Sequence, residues 1–196
     1  MAGFVLLFKK MAHLIFASSS ARRKELLEQV GLSFEIFSPD VDESVRADES
    51  IATYVKRLAE AKAHAVLTQS PHATVIAADT SLSLDGQIIG KPESKQHAFE
   101  IWTALSGREH QVYSGICVAN AEKIRSTVVA TTVSFQCLTK ADMERYWATG
   151  EPVGKAGGYA IQGYAAQFIP SIAGSYSNVV GLPLHETLQL LAEFQN

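Results

Sequence analysis

Apolar positions along the chain recur with both strand and helix periods. The run His13–Ala17 (HLIFA) reads as a short buried strand. After three serines, ARRKELLEQVG puts Leu26, Leu27 and Val30 on one helical face before Gly31 closes it. Phe34–Phe37 reads as a second strand, and an acidic loop, PDVDESVRADES, leads into a long helix between Ser50 and Gln69 with Ile51, Tyr54, Val55, Leu58 and Ala61 turned inward. TVIAAD predicts a buried strand ending at Asp79, and SLSLDGQIIG a hairpin that turns at Asp85-Gly86. Ser94 caps a helix through Ile101, Trp102 and Leu105 that stops at Gly107. The runs QVYSGICVAN and IRSTVVATTVSFQC predict an antiparallel pair joined through Asn120-Ala121-Glu122. Thr139 and Asp142 form a variant capping box for a helix ended by Gly150 and Pro152, and Pro183 opens a terminal helix at its first turn. Between them Lys155–Gly163 (KAGGYAIQG) is too glycine-rich for a helix and too apolar for a linker, which implies backbone packed close against a neighbour. Strands and helices alternate around an antiparallel centre, so the expected fold class is α/β: a mixed sheet in two lobes flanked by helices, with a cleft between them. Residues 11–196 read as one domain of two lobes, because no repeat or linker divides them.

Composition narrows the partners. With 196 residues, 47% hydrophobic, the chain is long enough to bury roughly 70% of its unfolded surface without a disulfide or metal staple. Seventeen basic against 20 acidic side chains leave a net charge of −3, so no global basic field exists to hold nucleic acid, and a polyanion must meet a local cationic pocket. Cys117 and Cys137 lie in strand-like runs without metal or disulfide spacing and read as reduced buried thiols, which points to a reducing cytoplasm. The opening MAGFVLLFKK places its apolar run before its lysines, the reverse of a secretory signal, so residues 1–10 read as an extension ahead of Met11. No segment approaches membrane-spanning length, and no membrane partner is expected.

Three groups carry candidate chemistry. Ser18-Ser19-Ser20-Ala21-Arg22-Arg23 joins hydroxyls and guanidinium groups to a helix start, whose free N–H groups and dipole attract oxyanions. Asp79, followed by Thr80, is a carboxylate delivered by a buried strand, suited to metal binding or to orienting a water. Glu43 in the acidic loop is a second oxygen donor of the kind hard divalent cations prefer. Lys62, Lys91 and Lys155 together, with Mg²⁺, could neutralise much of the charge of a nucleoside triphosphate, about −4 near neutral pH. Each has a bland reading too: a helix cap, a turn aspartate, a solvated loop charge, a surface lysine. Phosphate-loop, dinucleotide-fingerprint, nucleophile-elbow and zinc-helix motifs are all absent from the sequence. The six histidines show no ligand spacing, and His110 and His185 fit structural hydrogen bonding as well as catalysis.

Taken in order, these stretches resemble the Maf family of nucleoside triphosphate pyrophosphatases. The opening S-x-S-x-R-R signature stands at Ser18–Arg23, and ESIATYVKRLAEAKA, AADT, GKP, LSGREHQVYSG, EPVGKAGGYAIQG and GSYSNVVGLPL follow as in that family, from Met11 to about Phe194. The resemblance implies a two-lobed fold related to inosine triphosphate pyrophosphatases, a divalent metal (Mg²⁺ or Mn²⁺) as cofactor, cleavage between the α- and β-phosphates, and a homodimer. It implies Asp79 as proton acceptor, Glu43 and Asp79 as metal ligands, and Ser18, Ser20, Arg22, Arg23, Lys62, Lys91 and Lys155 as the phosphate environment. Thr80 and Gln162, with Arg22, resemble the branch acting on dTTP and UTP, including modified uridine and 5-methyl-uridine nucleotides; a neutral amide both donates to and accepts from a pyrimidine edge. Two alternatives stand beside it: a nucleotide-binding regulator that inhibits septum formation without turnover, and a pyrophosphatase for a purine nucleotide such as 7-methyl-GTP. Departures from the family pattern include Ala21 for proline, Ser114 for threonine, and Tyr164, whose ring is positioned in sequence to narrow or stack on the base site.

Overall fold

The two periods in the sequence resolve into strands and helices of one open sheet, in a computed structural model that describes residues 13–195. Along the chain run β1 (Leu14–Phe16), α1 (Ala21–Gln29), β2 (Glu35–Ile36), α2 (Ile51–Gln69), β3 (Thr74–Leu84), β4 (Gln87–Ile89), α3 (Lys95–Leu105), β5 (Glu109–Ala119) and β6 (Ile124–Ser134). They are followed by α4 (Lys140–Ala148), two 3₁₀ turns (Ala156–Gly158 and Tyr164–Phe168), β7 (Ser171–Ala173), α5 (Tyr176–Val180) and α6 (Leu184–Ala192). The proposed extension, residues 1–10, and Met11 lie outside the described residues. None of the described helices is long and apolar enough to cross a membrane.

The sheet order is β2-β1-β3-β5-β6-β7, with β4 paired to β3 beside β1. β1 pairs in parallel with β2 and β3, and every other pairing is antiparallel, so the sheet is mixed as expected. One expectation is corrected. The strand of TVIAAD does not end at Asp79 but continues to Leu84, because β5 pairs with it without interruption from Val75 to Ser83. On its other side, β1 pairs only Thr74–Ile76 and β4 only Leu82–Leu84. Asp79 therefore sits in the gap between two strands that share one edge of β3.

Apolar packing divides along the same line. At one end Leu14, Phe16, Leu27, Ile76, Ile116 and Leu182 cluster on one face, and Ile15, Ala63, Val66, Val75 and Cys117 on the other. At the far end Leu82, Trp102, Leu105, Val112, Tyr146 and Phe168 form a separate core. Two lobes thus share the long strands.

The predicted caps hold: Ser94 accepts from the His97 N–H group, and Thr139 and Asp142 form a complete capping box; Ser50 also caps α2, accepting from the Thr53 N–H group. Four details differ. Pro183 is the N-cap of α6 rather than its first helical residue. Tyr54 and Ala61 are only half-buried, while Ala59, Ala63 and Val66 pack inward. α5 and β7 carry no clear periodic signal, being five and three residues long. Cys117 is buried but Cys137 is exposed, since β6 leaves the sheet at Ser134, before the end of the apolar run.

Candidate active site

The gap beside Asp79 is a cavity of about 300 Å³. Its floor is β3, which supplies Asp79, Thr80 and Leu82; the loop between β1 and α1 supplies Ser18, Ser19 and Ser20. α1 adds Arg22 and Arg23, the acidic loop Glu43, α2 Lys62, and the segment after β4 Lys91. Ser38, Pro39, Tyr159 and Gly181 also line it and escape sequence reading, as they belong to no charged or periodic pattern.

Helix α2 reaches the sheet closely because Gly115 faces it. A Cβ at Gly115 would collide with the backbone of Val55. Lys62, two turns beyond Val55, is carried to β3 by that approach. Its Nζ lies 2.7 Å from Asp79 Oδ1 and 2.7 Å from Glu43 Oε1. The ammonium is mostly buried at 12% side-chain exposure, so the two carboxylates converge on one buried cation. Burial alone would raise the Glu43 carboxyl, but the hydrogen bond and charge of Lys62, with Lys91 and Arg23 nearby, outweigh it and hold Glu43 below the ordinary carboxylate range.

The acidic loop is tied down from α2. Arg57 forms a forked pair with Glu49, at 2.6 and 2.7 Å, and donates to the Ser44 carbonyl at 2.9 Å. The Tyr54 hydroxyl donates to the Glu43 carbonyl at 2.9 Å, and its own ionisation is pushed up to about 12 by burial and by the charges of Asp79 and Glu43.

The paired arginines differ in what they offer. Arg23 donates through Nε to the Gly181 carbonyl (2.7 Å), through Nη1 to the Ala78 carbonyl (2.9 Å) and the Ser18 hydroxyl (3.4 Å), and through Nη2 to Thr80 Oγ1 (2.9 Å). It satisfies backbone that β3 leaves unpaired in the gap and binds the α5–α6 turn to the sheet. Thr80 Oγ1 also pairs with Ser114 Oγ (2.7 Å) and the Gly181 carbonyl (3.0 Å), so its hydroxyl belongs to this clamp. Arg22 makes no protein hydrogen bond among the described residues and faces the cavity. Ser20 is the N-cap of α1 without a side-chain cap bond, which leaves its hydroxyl for the cavity.

Two expected residues stand apart from the lining. Gln162 is exposed, on the turn that follows Tyr159. Lys155 lies between the lining residues Gly154 and Ala156, but its ammonium donates to the Glu151 carbonyl; burial and the charge of Arg22 lower its ionisation. The Tyr164 ring stacks on Tyr146 at 5.8 Å and 13° rather than entering the cavity, a correction of the sequence reading. KAGGYAIQG does pack closely, with the Gly157 carbonyl accepting from buried Trp102 Nε1 at 3.2 Å.

A divalent metal fits this set by the chemistry of its donors. Glu43 and Asp79 already share a cation position, occupied by Lys62 Nζ. Among the described residues no group of three or more His, Cys, Asp or Glu gathers, so the protein offers a hard cation two carboxylates, the arrangement of metals held partly by substrate phosphates.

A mixed α/β sheet whose strand gap holds two convergent carboxylates amid arginine and lysine defines an anion-receiving α/β protein of the polyphosphate-binding kind. The chain matches the Maf-like protein family over residues 13–194 and belongs to it. Among its relatives, the dTTP/UTP pyrophosphatase of Acinetobacter baylyi is 67% identical over 89% of this chain and 96% of that protein. The dTTP/UTP pyrophosphatases of Colwellia psychrerythraea (91% of this chain, 87% of that protein) and Vibrio vulnificus (94% and 100%) are 47% and 48% identical. The structure of the Staphylococcus aureus Ham1 protein aligns with a TM-score of 0.50 at 15% identity, covering 93% of this chain and 97% of that one, a likeness of fold.

Proposed function

We propose that this chain is a nucleoside triphosphate pyrophosphatase that hydrolyses dTTP, UTP and modified uridine or 5-methyl-uridine triphosphates to the monophosphate and pyrophosphate, clearing nucleotide pools in the cytoplasm. The observation that carries it is the Asp79–Lys62–Glu43 constellation, each contact 2.7 Å, at the wall of a cation-lined cavity. Kinship to proteins named dTTP/UTP pyrophosphatase supports the substrate class.

In this reading residues 11–196 act as one catalytic domain, as a homodimer. Glu43 and Asp79 would hold Mg²⁺ or Mn²⁺, which supplies positive charge to the phosphate oxygens when bound. Arg22, Lys91, Ser18 and Ser20 receive the phosphates, with Lys155 at the margin, and Arg23 keeps the cavity wall in place. Asp79 accepts a proton from a water whose oxygen bonds to the α-phosphorus, while the bond to the bridging oxygen breaks and pyrophosphate leaves. The base lies on the Tyr159 side of the cavity, and Gln162, exposed on the turn just beyond Tyr159 and outside the lining, reads the pyrimidine edge from there while Thr80 shapes the wall through its clamp.

The test is pyrophosphate release with Mg²⁺ and with Mn²⁺ across dTTP, UTP, CTP, GTP and 7-methyl-GTP. Release mainly from dTTP and UTP is expected, and Asp79→Asn should lower kcat by about 10²-fold or more while the variant remains folded. Preference for 7-methyl-GTP, or an Asp79→Asn variant near the full rate, overturns the assignment; silence on every nucleotide favours a regulator without turnover.

A further inference from the structure

Glu151 lies outside the cavity lining, yet it gathers the segment that carries Gln162. Its Oε1 accepts from the Tyr146 hydroxyl at 2.7 Å and from the Ala165 N–H at 3.3 Å, and its Oε2 accepts from the Tyr164 N–H at 2.8 Å. The Tyr146 hydroxyl, while donating to Glu151, accepts from the Ala160 N–H at 3.2 Å. The turn from Ala160 to Ala165 is therefore held at its start through the phenol and at its end by the carboxylate, with Gln162 between the two anchors. Tyr146 itself has no freedom to follow a moving turn: it is 2% exposed and packs against Trp102, ring centroids 5.0 Å apart, and Tyr164. The chain passes the carboxylate so closely at Gly163 that a Cβ there would collide with Glu151 Oε2.

We propose that Glu151 is a positioning residue for base selection, fixing through the Ala160–Ala165 turn where Gln162 presents its amide while itself touching neither base nor phosphate. The inference rests on the reading of Gln162 as the base contact. The chemistry of the anchor specifies the variants. In Glu151→Gln, one amide oxygen replaces two carboxylate oxygens, so a donor NH₂ meets either the Tyr164 N–H or the N–H and hydroxyl on the other side. In Gly163→Ala the new methyl group drives the carboxylate away from its donors. Both changes should release the same turn by different routes.

The experiment measures kcat and KM for UTP and CTP, equilibrium binding of both nucleotides, and melting temperature. It uses the unaltered protein, Glu151→Gln, Glu151→Ala, Gly163→Ala and the Glu151→Ala/Gly163→Ala double variant. Each single variant is expected to lower the UTP-over-CTP preference by about tenfold, through KM and binding, with kcat for UTP changing less than about threefold. Gly163→Ala should cost little further in the Glu151→Ala background, because its steric partner is gone. A purely structural Glu151 would lower the melting temperature and leave the UTP-over-CTP ratio intact, and that result overturns the proposal. So does an unaltered protein that binds UTP and CTP equally. If the unaltered protein hydrolyses nothing, the proposed function fails while the binding ratios still decide the role of Glu151.

Discussion

Asp79 reaches the cavity because β3 changes neighbours around it, and the residues near it divide by whether the fold has already engaged their polar atoms. Adjacent arginines illustrate the division: Arg23 is engaged by two backbone carbonyls and two hydroxyls, whereas Arg22 has no protein hydrogen bond among the described residues. No property of the pair RR in the sequence separates them. His110 resolves similarly. It is fully buried, its Nε2 is 2.7 Å from the Tyr159 hydroxyl, and burial pushes its ionisation down to about 4. The folded value lies below the unfolded one of 6.5, so the unfolded chain binds the proton more readily in acid. Stability from His110 is complete above pH 6.5 and is lost as the pH falls toward 4, by about 3 kcal/mol. Urea melts between pH 7.5 and 4 should therefore be flatter for His110→Gln than for the unaltered protein, and parallel slopes would refute the shift.

At the scale of elements, the site depends on how α2 meets the sheet. Gly115 lets the helix backbone near Val55 approach β5, and small inward residues such as Ala59 and Ala63 continue the contact. Two turns beyond that approach, Lys62 meets both carboxylates. Gly115→Ala should destabilise the fold by about 2 kcal/mol, read in a urea melt, and should lower kcat even at temperatures where the variant remains folded. A variant with both values unchanged would show that α2 yields without moving Lys62. The loop bearing Glu43 follows the same helix, since Arg57 and Tyr54 reach back from α2 to hold it. In sequence that loop is a charge run with Glu43 as a candidate metal ligand, and nothing in it shows how the loop is held.

Across the whole molecule, the cavity lies where the apolar cores leave off. The cluster around Leu82 and Trp102 packs on one side of the gap and those around Phe16 and Val75 on the other, with the long strands between. A ligand seated there touches groups from both lobes and stabilises the folded state by mass action. With a non-hydrolysable α,β-imido analogue of UTP, which stops catalysis while Asp79 and Glu43 stay intact, the analogue and Mg²⁺ at about 100 times the dissociation constant should stabilise by about 2.7 kcal/mol. That corresponds to a rise of about 5–10 °C in Tm for a chain of this size. The analogue without effect on the Tm of the unaltered protein at millimolar concentration would remove the nucleotide from the cavity.

The sequence by itself determined the mixed α/β class, most strands and helices, the helix caps and the chemical types gathered at the site. Those features depend on local periodicity, on capping bonds within one turn, and on a family signature that reads in order. The motif also named Asp79, Glu43 and Lys62 before any contact between them was visible. Only the tertiary structure decided that β3 runs through Asp79 instead of ending there, because strand length follows its partner β5 rather than its own composition. It alone separated Arg22 from Arg23, placed Tyr164 against Tyr146, exposed Cys137, and set Glu151 behind the turn of Gln162. Each of these depends on atoms brought together from distant parts of the chain, where charge, burial and hydrogen bonding have no local signature.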